Sequence, residues 1–297
     1  MADQSAQPAA KNAMIRISES PGNLATIQVK TPWSTAEIYR HGAHVTQFRK
    51  NGEKPVLFLS GSSRFVDGQP IRGGIPVIFP WFGPREGAGL HGFARIKTWE
   101  LVEQGRTPGG GAQLRFRLPN GSEAAAYPPF TAEYIVTVSE TLALELVVTN
   151  QSKAEAFEFE ECLHTYFSVD DISAVSITGL QGASYLDKVA GFEKKTERAA
   201  AIRLTSEVDR VYLDTTSPVE IHDAQWKRTI RVEKEHSAST VVWNPWIDKA
   251  RQLPDFGDGE YRQMVCVESG NVASNKIVLP PGKTSRMKVT LKVTNNR

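Results

Sequence analysis

Residues 157–169 read FEFEECLHTYFSV. Apolar and polar residues alternate through most of this stretch, and a period of two is the pattern of a β-strand with one face turned to a core. Phe157, Phe159, Leu163 and Phe167 fall on one side, while Glu158, Glu160, Cys162, His164 and Tyr166 fall on the other. Runs of the same kind recur between turn residues along the chain: AEIYRHGAHVTQF, AQLRFRL, YIVTVSE, LALELVVTN, VSITGL, TIRVEKE, TVVWN, QMVCVE, NKIVLP and RMKVTLKVT. No segment sustains helical apolar spacing. Many strands at short spacing predict an all-β fold, an antiparallel sandwich or barrel, and argue against a βαβ fold.

The chain has 297 residues, enough for a sizeable core, and β-sandwiches of this length are routinely one domain. Residues 1–12 are rich in Ala and Gln without periodicity and read as a mobile tail, leaving 13–297 as one domain. Lys plus Arg number 35 and Asp plus Glu 33, a net charge of +2 that gives no footprint for nucleic acid or an anionic membrane. The start, MADQSAQPAAKNAM, lacks the apolar stretch of a signal peptide, and GIPVIFPWFG is too short and proline-rich to span a bilayer. A soluble cytoplasmic protein is expected. Two cysteines, Cys162 and Cys266, are too few for a secreted disulfide framework.

The segment QPIRGGIPVIFPWFGPREGAGLHGFAR, residues 69–95, departs from this pattern through its prolines and glycines. A long loop in a compact domain is usually functional, and glycine backbone leaves room for a ligand to approach. Arg72 and Arg95 on this loop would suit a phosphorylated ligand through charge-assisted hydrogen bonds. Alternatively, they cap carbonyls or pair with Asp67 and Glu86.

His164 is either a hydrogen-bonded histidine on a polar strand face or a functional group, and Tyr166 shares its face. Glu268 ends the apolar run MVCVES, either in solvent or at the mouth of a cleft, where partial desolvation would raise its pKa toward what a general base needs. Cys162 with His164 and Cys266 with Glu268 each have an i, i+2 spacing that could offer zinc ligands, although closed sites more often use C-x2-C or H-x3-H patterns. Trp81, Phe82, Trp243 and Trp246 suit either a sugar platform or the core. His41, His44, His222 and His236 sit in ordinary contexts and receive no function.

Taken together, IRGGIPVIFPWFGP, LHGFARIKTWE, LHTYF, VVWNPWIDKA and MVCVESGNV resemble the aldose-1-epimerase-like (mutarotase) family, and within it the glucose-6-phosphate 1-epimerase branch. The resemblance runs in order from about residue 38 to 281. It implies a large galactose-mutarotase-like antiparallel sandwich, the supersandwich, with the sugar on its concave face. It implies His164 and Glu268 as catalytic residues, Arg72 and Arg95 as substrate arginines, and Asp209 and His91 as further substrate-binding residues. The branch resembles QHGxAR where this chain has Leu90, and leucine cannot replace the hydrogen bonds of a glutamine amide.

The chemistry so implied is anomer exchange of a hexose 6-phosphate by a monomer, with no nucleic-acid or membrane partner. Glu268 as carboxylate takes the C1 hydroxyl proton and His164 as imidazolium protonates the ring oxygen, the two lying on opposite sides of the C1–O5 edge. No metal or other cofactor is required. Other readings are a non-catalytic carbohydrate-binding protein on the same fold, an aldose 1-epimerase acting on free hexoses, and a zinc hydrolase built on the Cys, His and Glu set.

Overall fold

The computed structural model describes residues 13–19 and 24–296, so the expected tail, residues 1–12, lies outside the described residues. Two large antiparallel sheets dominate. The nine-stranded sheet runs in the order Ala201–Ile202, Val175–Thr178, Val219–Asp223, Arg228–Glu235, Thr284–Asn295, Leu142–Asn150, Phe130–Val138, Ala112–Arg117 and Glu100–Arg106. The eight-stranded sheet runs Glu193–Thr196, Ser184–Asp187, Val208–Tyr212, Ser239–Asn244, Met264–Asn271, Glu161–Leu163 and Val77–Ile78, with Tyr166–Ser168 also paired to Met264–Asn271. A four-stranded sheet, Met14–Glu19 through His44–Lys50, and two strand pairs, Phe157–Phe159 with Ile277–Leu279 and Pro84–Arg85 with Gly89–Leu90, make up the remaining sheets among the described residues. Among the described residues no helix is long and apolar enough to cross a membrane.

Alternation within strands explains where the core sits. Tyr134, Val136, Leu144 and Leu146 of the nine-stranded sheet share one buried cluster with Leu163, Phe167, Val242, Val265 and Val267 of the eight-stranded sheet. Side chains of opposite parity on the eight-stranded sheet must then point away from that core. Two smaller buried clusters lie on this outer side, one holding Cys162 with Val211 and Val241, the other Cys266 with Tyr166 and Trp243.

Two local expectations change. FEFEECLHTYFSV is three short strands rather than one, Phe157–Phe159, Glu161–Leu163 and Tyr166–Ser168. The predicted faces survive the breaks: Phe157, Phe159, Leu163 and Phe167 all enter the main core. A short α-helix, Trp246–Gln252, follows Pro245; its seven residues are too few to display an apolar periodicity. Edge strands such as Glu193–Thr196 carry little buried surface and so leave no alternation to read.

Three glycines of the 69–95 loop, Gly73, Gly74 and Gly92, approach the protein's own backbone, whereas Gly83, Gly87 and Gly89 face open space. A β-carbon on Gly73 (φ +116°) would stand 2.6 Å from the Leu59 Cα, and one on Gly92 (φ +65°) would stand 2.0 Å from the Phe79 carbonyl oxygen. Such contacts pin the segment carrying His91 and Arg95 to the strand Val77–Ile78 and its neighbours. Gly92→Ala therefore faces both a disfavoured φ and a steric clash, and it is expected to cost at least about 2 kcal/mol, read by urea unfolding. Wild-type stability in that variant would show that the loop is free to move away.

Candidate active site

Strand pairing places the two central residues of the site opposite one another. Leu163 pairs with Ser269 and Tyr166 with Cys266, so two residues on each strand lie between these registers. In that gap the strand carrying His164 is irregular: the His164 amide donates to the Pro76 carbonyl at 3.0 Å, and the Val267 amide donates to the Thr165 carbonyl at 3.3 Å. His164 Nε2 consequently lies 3.3 Å from Glu268 Oε1. Both residues are buried, at 9 % and 1 % exposure.

The expectation of a pyranose edge lodged between these two groups does not hold, because they touch. A sugar must meet both from one side. Aromatic rings fix the imidazole: Tyr166 stacks on it at 4.8 Å and 12°, while Trp243 and His91 meet it edge-on at 6.0 and 5.7 Å. Behind the carboxyl, the Cys162 thiol donates to Glu268 Oε2 at 3.5 Å. Cys162 and Cys266 are free, fully buried thiols beneath the site, as their positions on the strand faces predict.

Desolvation decides the charge of the pair. Burial, reinforced by His91, Arg72 and Arg95, pushes the His164 imidazole well below the ordinary histidine value. Burial, reinforced by Asp209, pushes the Glu268 carboxyl well above the ordinary carboxylate value, against a smaller opposing pull from Lys188 and Cys162. Both shifts favour the neutral forms, a free imidazole and a carboxylic acid. This reverses the expected starting assignment of carboxylate and imidazolium.

The two arginines differ. Arg72 donates through Nε and Nη2 to Asp255 Oδ1 at 3.2 and 3.1 Å, and through Nη1 to the Tyr166 hydroxyl at 3.1 Å. Burial opposes its charge, but Tyr166 and Asp255 outweigh that and raise its pKa. Its partner is Asp255 and not Asp67, whose carboxylate lies 3.4 Å from His41. Arg95 donates to the Leu90 carbonyl at 2.8 Å and has no ion-pair partner among the described residues. Its buried Nε has no hydrogen-bond partner, and burial draws its pKa down to about 10. The Leu90 side chain is 50 % exposed, so what that position gives Arg95 is its carbonyl.

His91 takes a left-handed backbone (φ +63°), and its Nδ1 accepts the Gly83 amide at 3.1 Å. Burial holds it neutral, so its proton resides on Nε2. Asp209 pairs with Lys188 Nζ at 2.9 Å, and the Lys188 ammonium lies 5.5 Å over the Phe82 ring. Lys188 and Asp255 were not found from sequence, because each acquires its place only through a partner distant in the chain. A cavity of about 840 Å³ opens elsewhere, lined by Arg16, Lys30, Arg49 and Trp226 among others. None of the six predicted residues lines it, so chemistry rather than volume marks the site.

Comparison with known proteins agrees with this architecture. The aldose 1-epimerase family profile matches residues 25–292. Two curated relatives carry the name "Putative glucose-6-phosphate 1-epimerase": one from Cenchrus ciliaris is 36 % identical over 86 % of this chain and 80 % of its own, and one from Escherichia coli is 35 % identical over 86 % of each. The crystal structure of the "putative mutarotase" YeaD from Salmonella typhimurium superposes with a TM-score of 0.85 at 31 % identity, covering 95 % of this chain and 97 % of that one. A galactose mutarotase-like protein from Clostridium acetobutylicum, 14 % identical over 96 % of this chain and 99 % of its own, shares the fold with a TM-score of 0.74.

The downward shift of His164 has a direct readout. Its imidazole is expected to be neutral at about pH 6, where an unperturbed histidine is largely charged. Ring nitrogen shifts by NMR of the ligand-free protein measure this. An imidazolium signature there would restore the assignment made from sequence.

Proposed function

The chain belongs to the aldose 1-epimerase family, and from that premise we propose that it interconverts the α and β anomers of hexose 6-phosphates, glucose 6-phosphate first among them. The observation that carries the proposal is the 3.3 Å contact of the His164 imidazole with the Glu268 carboxyl, on a face where Arg72 and Arg95 concentrate positive charge. The names of the relatives point to the same substrate. The proposed setting is a cytoplasmic monomer without a nucleic-acid or membrane partner.

Anomer exchange requires one proton to leave the C1 hydroxyl and one to reach the ring oxygen. Both oxygens hang from the same carbon, so one side of the sugar presents them together to two adjacent groups. The neutral imidazole accepts the hydroxyl proton while the carboxylic acid protonates O5. The C1–O5 bond breaks, leaving an open aldehyde beside an imidazolium and a carboxylate. Rotation about C1–C2 turns the other carbonyl face to the C5 hydroxyl. On closure the carboxylate takes that hydroxyl's proton and the imidazolium protonates the carbonyl oxygen, so the pair ends as it began.

Supporting groups follow from their positions. Arg95, with no carboxylate to neutralise it, is the stronger candidate for the phosphate; Arg72 shares its charge with Asp255. His91 offers an Nε2–H, and Asp209, braced by Lys188, offers a carboxylate to sugar hydroxyls.

Anomer exchange followed by NMR on glucose 6-phosphate, beside free glucose and galactose, tests the proposal. Glu268→Gln and His164→Asn are each expected to lower exchange by about a hundred to ten-thousand-fold while substrate binding persists. In wild type, kcat/KM should fall in acid as His164 gains a proton, below the ordinary histidine value, and fall in base as Glu268 loses one, above the ordinary carboxylate value. A profile lacking either limb removes that group from the chemistry.

Substrate choice has its own test. Arg95→Ala should reduce efficiency on hexose 6-phosphate by roughly ten to a hundred-fold, the worth of one charged hydrogen bond, and leave free hexose nearly unaffected. Equal losses on both sugars, or a wild-type preference for free galactose, would overturn the phosphate assignment.

A further inference from the structure

The acid/base pair has a third neighbour that proton transfer does not use. Cys266 lies two residues before Glu268 on the same strand face, and its backbone pairs directly with Tyr166, two residues after His164. The ligand atoms of His164, Cys266 and Glu268 all lie within 4.8 Å of one another, and all three residues are buried. Zinc bonds of about 2.0–2.3 Å place neighbouring tetrahedral ligand atoms about 3.3–3.6 Å apart. The His164–Glu268 spacing of 3.3 Å already fits, and the sulfur, within 4.8 Å of both, must close to about 3.6 Å.

We propose that His164, Cys266 and Glu268 form a binding site for a borderline-soft divalent cation, of which zinc is the best match, and that occupation of this site switches catalysis off. An imidazole, a thiolate and a carboxylate suit zinc, cobalt(II) or cadmium, whereas magnesium and calcium require oxygen donors. Three protein ligands leave a fourth position for water or a substrate oxygen. On binding, the Cys266 S–H proton and the Glu268 proton leave to solvent as the metal–sulfur and metal–oxygen bonds form. His164 Nε2 and Glu268 Oε1 are then coordinated and can no longer exchange protons with a sugar. Cys162 is outside the group; its thiol faces the other carboxyl oxygen, Glu268 Oε2.

Inhibition rests on the acid/base reading above, but binding does not, and two measurements keep them apart. Cobalt(II) titrated into the protein should bind one equivalent and produce a thiolate-to-cobalt absorption band in the near ultraviolet, lost in both Cys266→Ser and Cys266→Ala. Zinc should inhibit anomer exchange reversibly by EDTA, magnesium should not, and the same two variants should keep basal exchange while zinc sensitivity weakens at least about ten-fold, the effect that even an outer partner of a metal ligand commands. Two variants guard against one packing poorly. A cobalt complex without the sulfur band, or zinc inhibition unchanged in both folded variants, overturns the site. A sulfur band at one equivalent with no effect on exchange overturns the inhibitory role and leaves metal binding standing.

Discussion

Eight consecutive residues, Met264–Asn271, are all buried, and the strand they form is the constraint on which the site depends. Its valines, Val265 and Val267, enter the core between the large sheets. Parity then sends Cys266 and Glu268 to the outer face, where no exposed position is available to relieve the carboxyl. Pairing with Glu161–Leu163 and Tyr166–Ser168 on one side and Ser239–Asn244 on the other fixes what stands beside them. A carboxyl placed in solvent at a strand end would keep its ordinary acidity. Here the hydrophobic demands of one face set the proton affinity on the other.

The same constraint bears on the cations. A buried imidazole beside Arg72 and Arg95 resists protonation, so the positive charge that suits a phosphate also favours the unprotonated form of His164. Asp255 tempers this by pairing with Arg72, which limits the repulsion that two nearby guanidiniums would exert on each other. Arg95 is left uncompensated and partly desolvated. An incoming dianion would relieve both conditions, and substrate charge is thereby linked to the electrostatics of the acid/base pair.

How much of this could be read from the sequence depended on the range of the interaction involved. The two faces of FEFEECLHTYFSV were legible, because alternation is local and survived even where the strand broke. The two breaks were not, since there the Glu160 and His164 amides donate to the carbonyls of Pro80 and Pro76, eighty or more positions away. Glu268 and His164 could be named from their motifs, yet their contact and reversed resting charges follow from a register between distant strands. The glycines of the 69–95 loop suggested access for a ligand; in the fold Gly73 and Gly92 admit Leu59 and Phe79 backbone instead, while Gly83, Gly87 and Gly89 have open space beside them. Lys188 and Asp255 had no local signal at all.

Precision at His164 is achieved with little hydrogen bonding. Its Nδ1 is buried without a partner, and the ring is held by stacking on Tyr166 and by the edges of Trp243 and His91. A carboxylate partner at Nδ1 would fix one tautomer and raise basicity. An aromatic setting fixes the plane of the ring and leaves its proton affinity low. For a reaction that must return every proton it borrows, a weakly basic imidazole beside a weakly acidic carboxyl places the neutral pair below the imidazolium–carboxylate state, so borrowed protons are driven back. Tyr166 joins this to the substrate end, because its ring carries the imidazole while its hydroxyl accepts from Arg72. One side chain thus ties the acid/base pair to Arg72, the arginine already paired with Asp255.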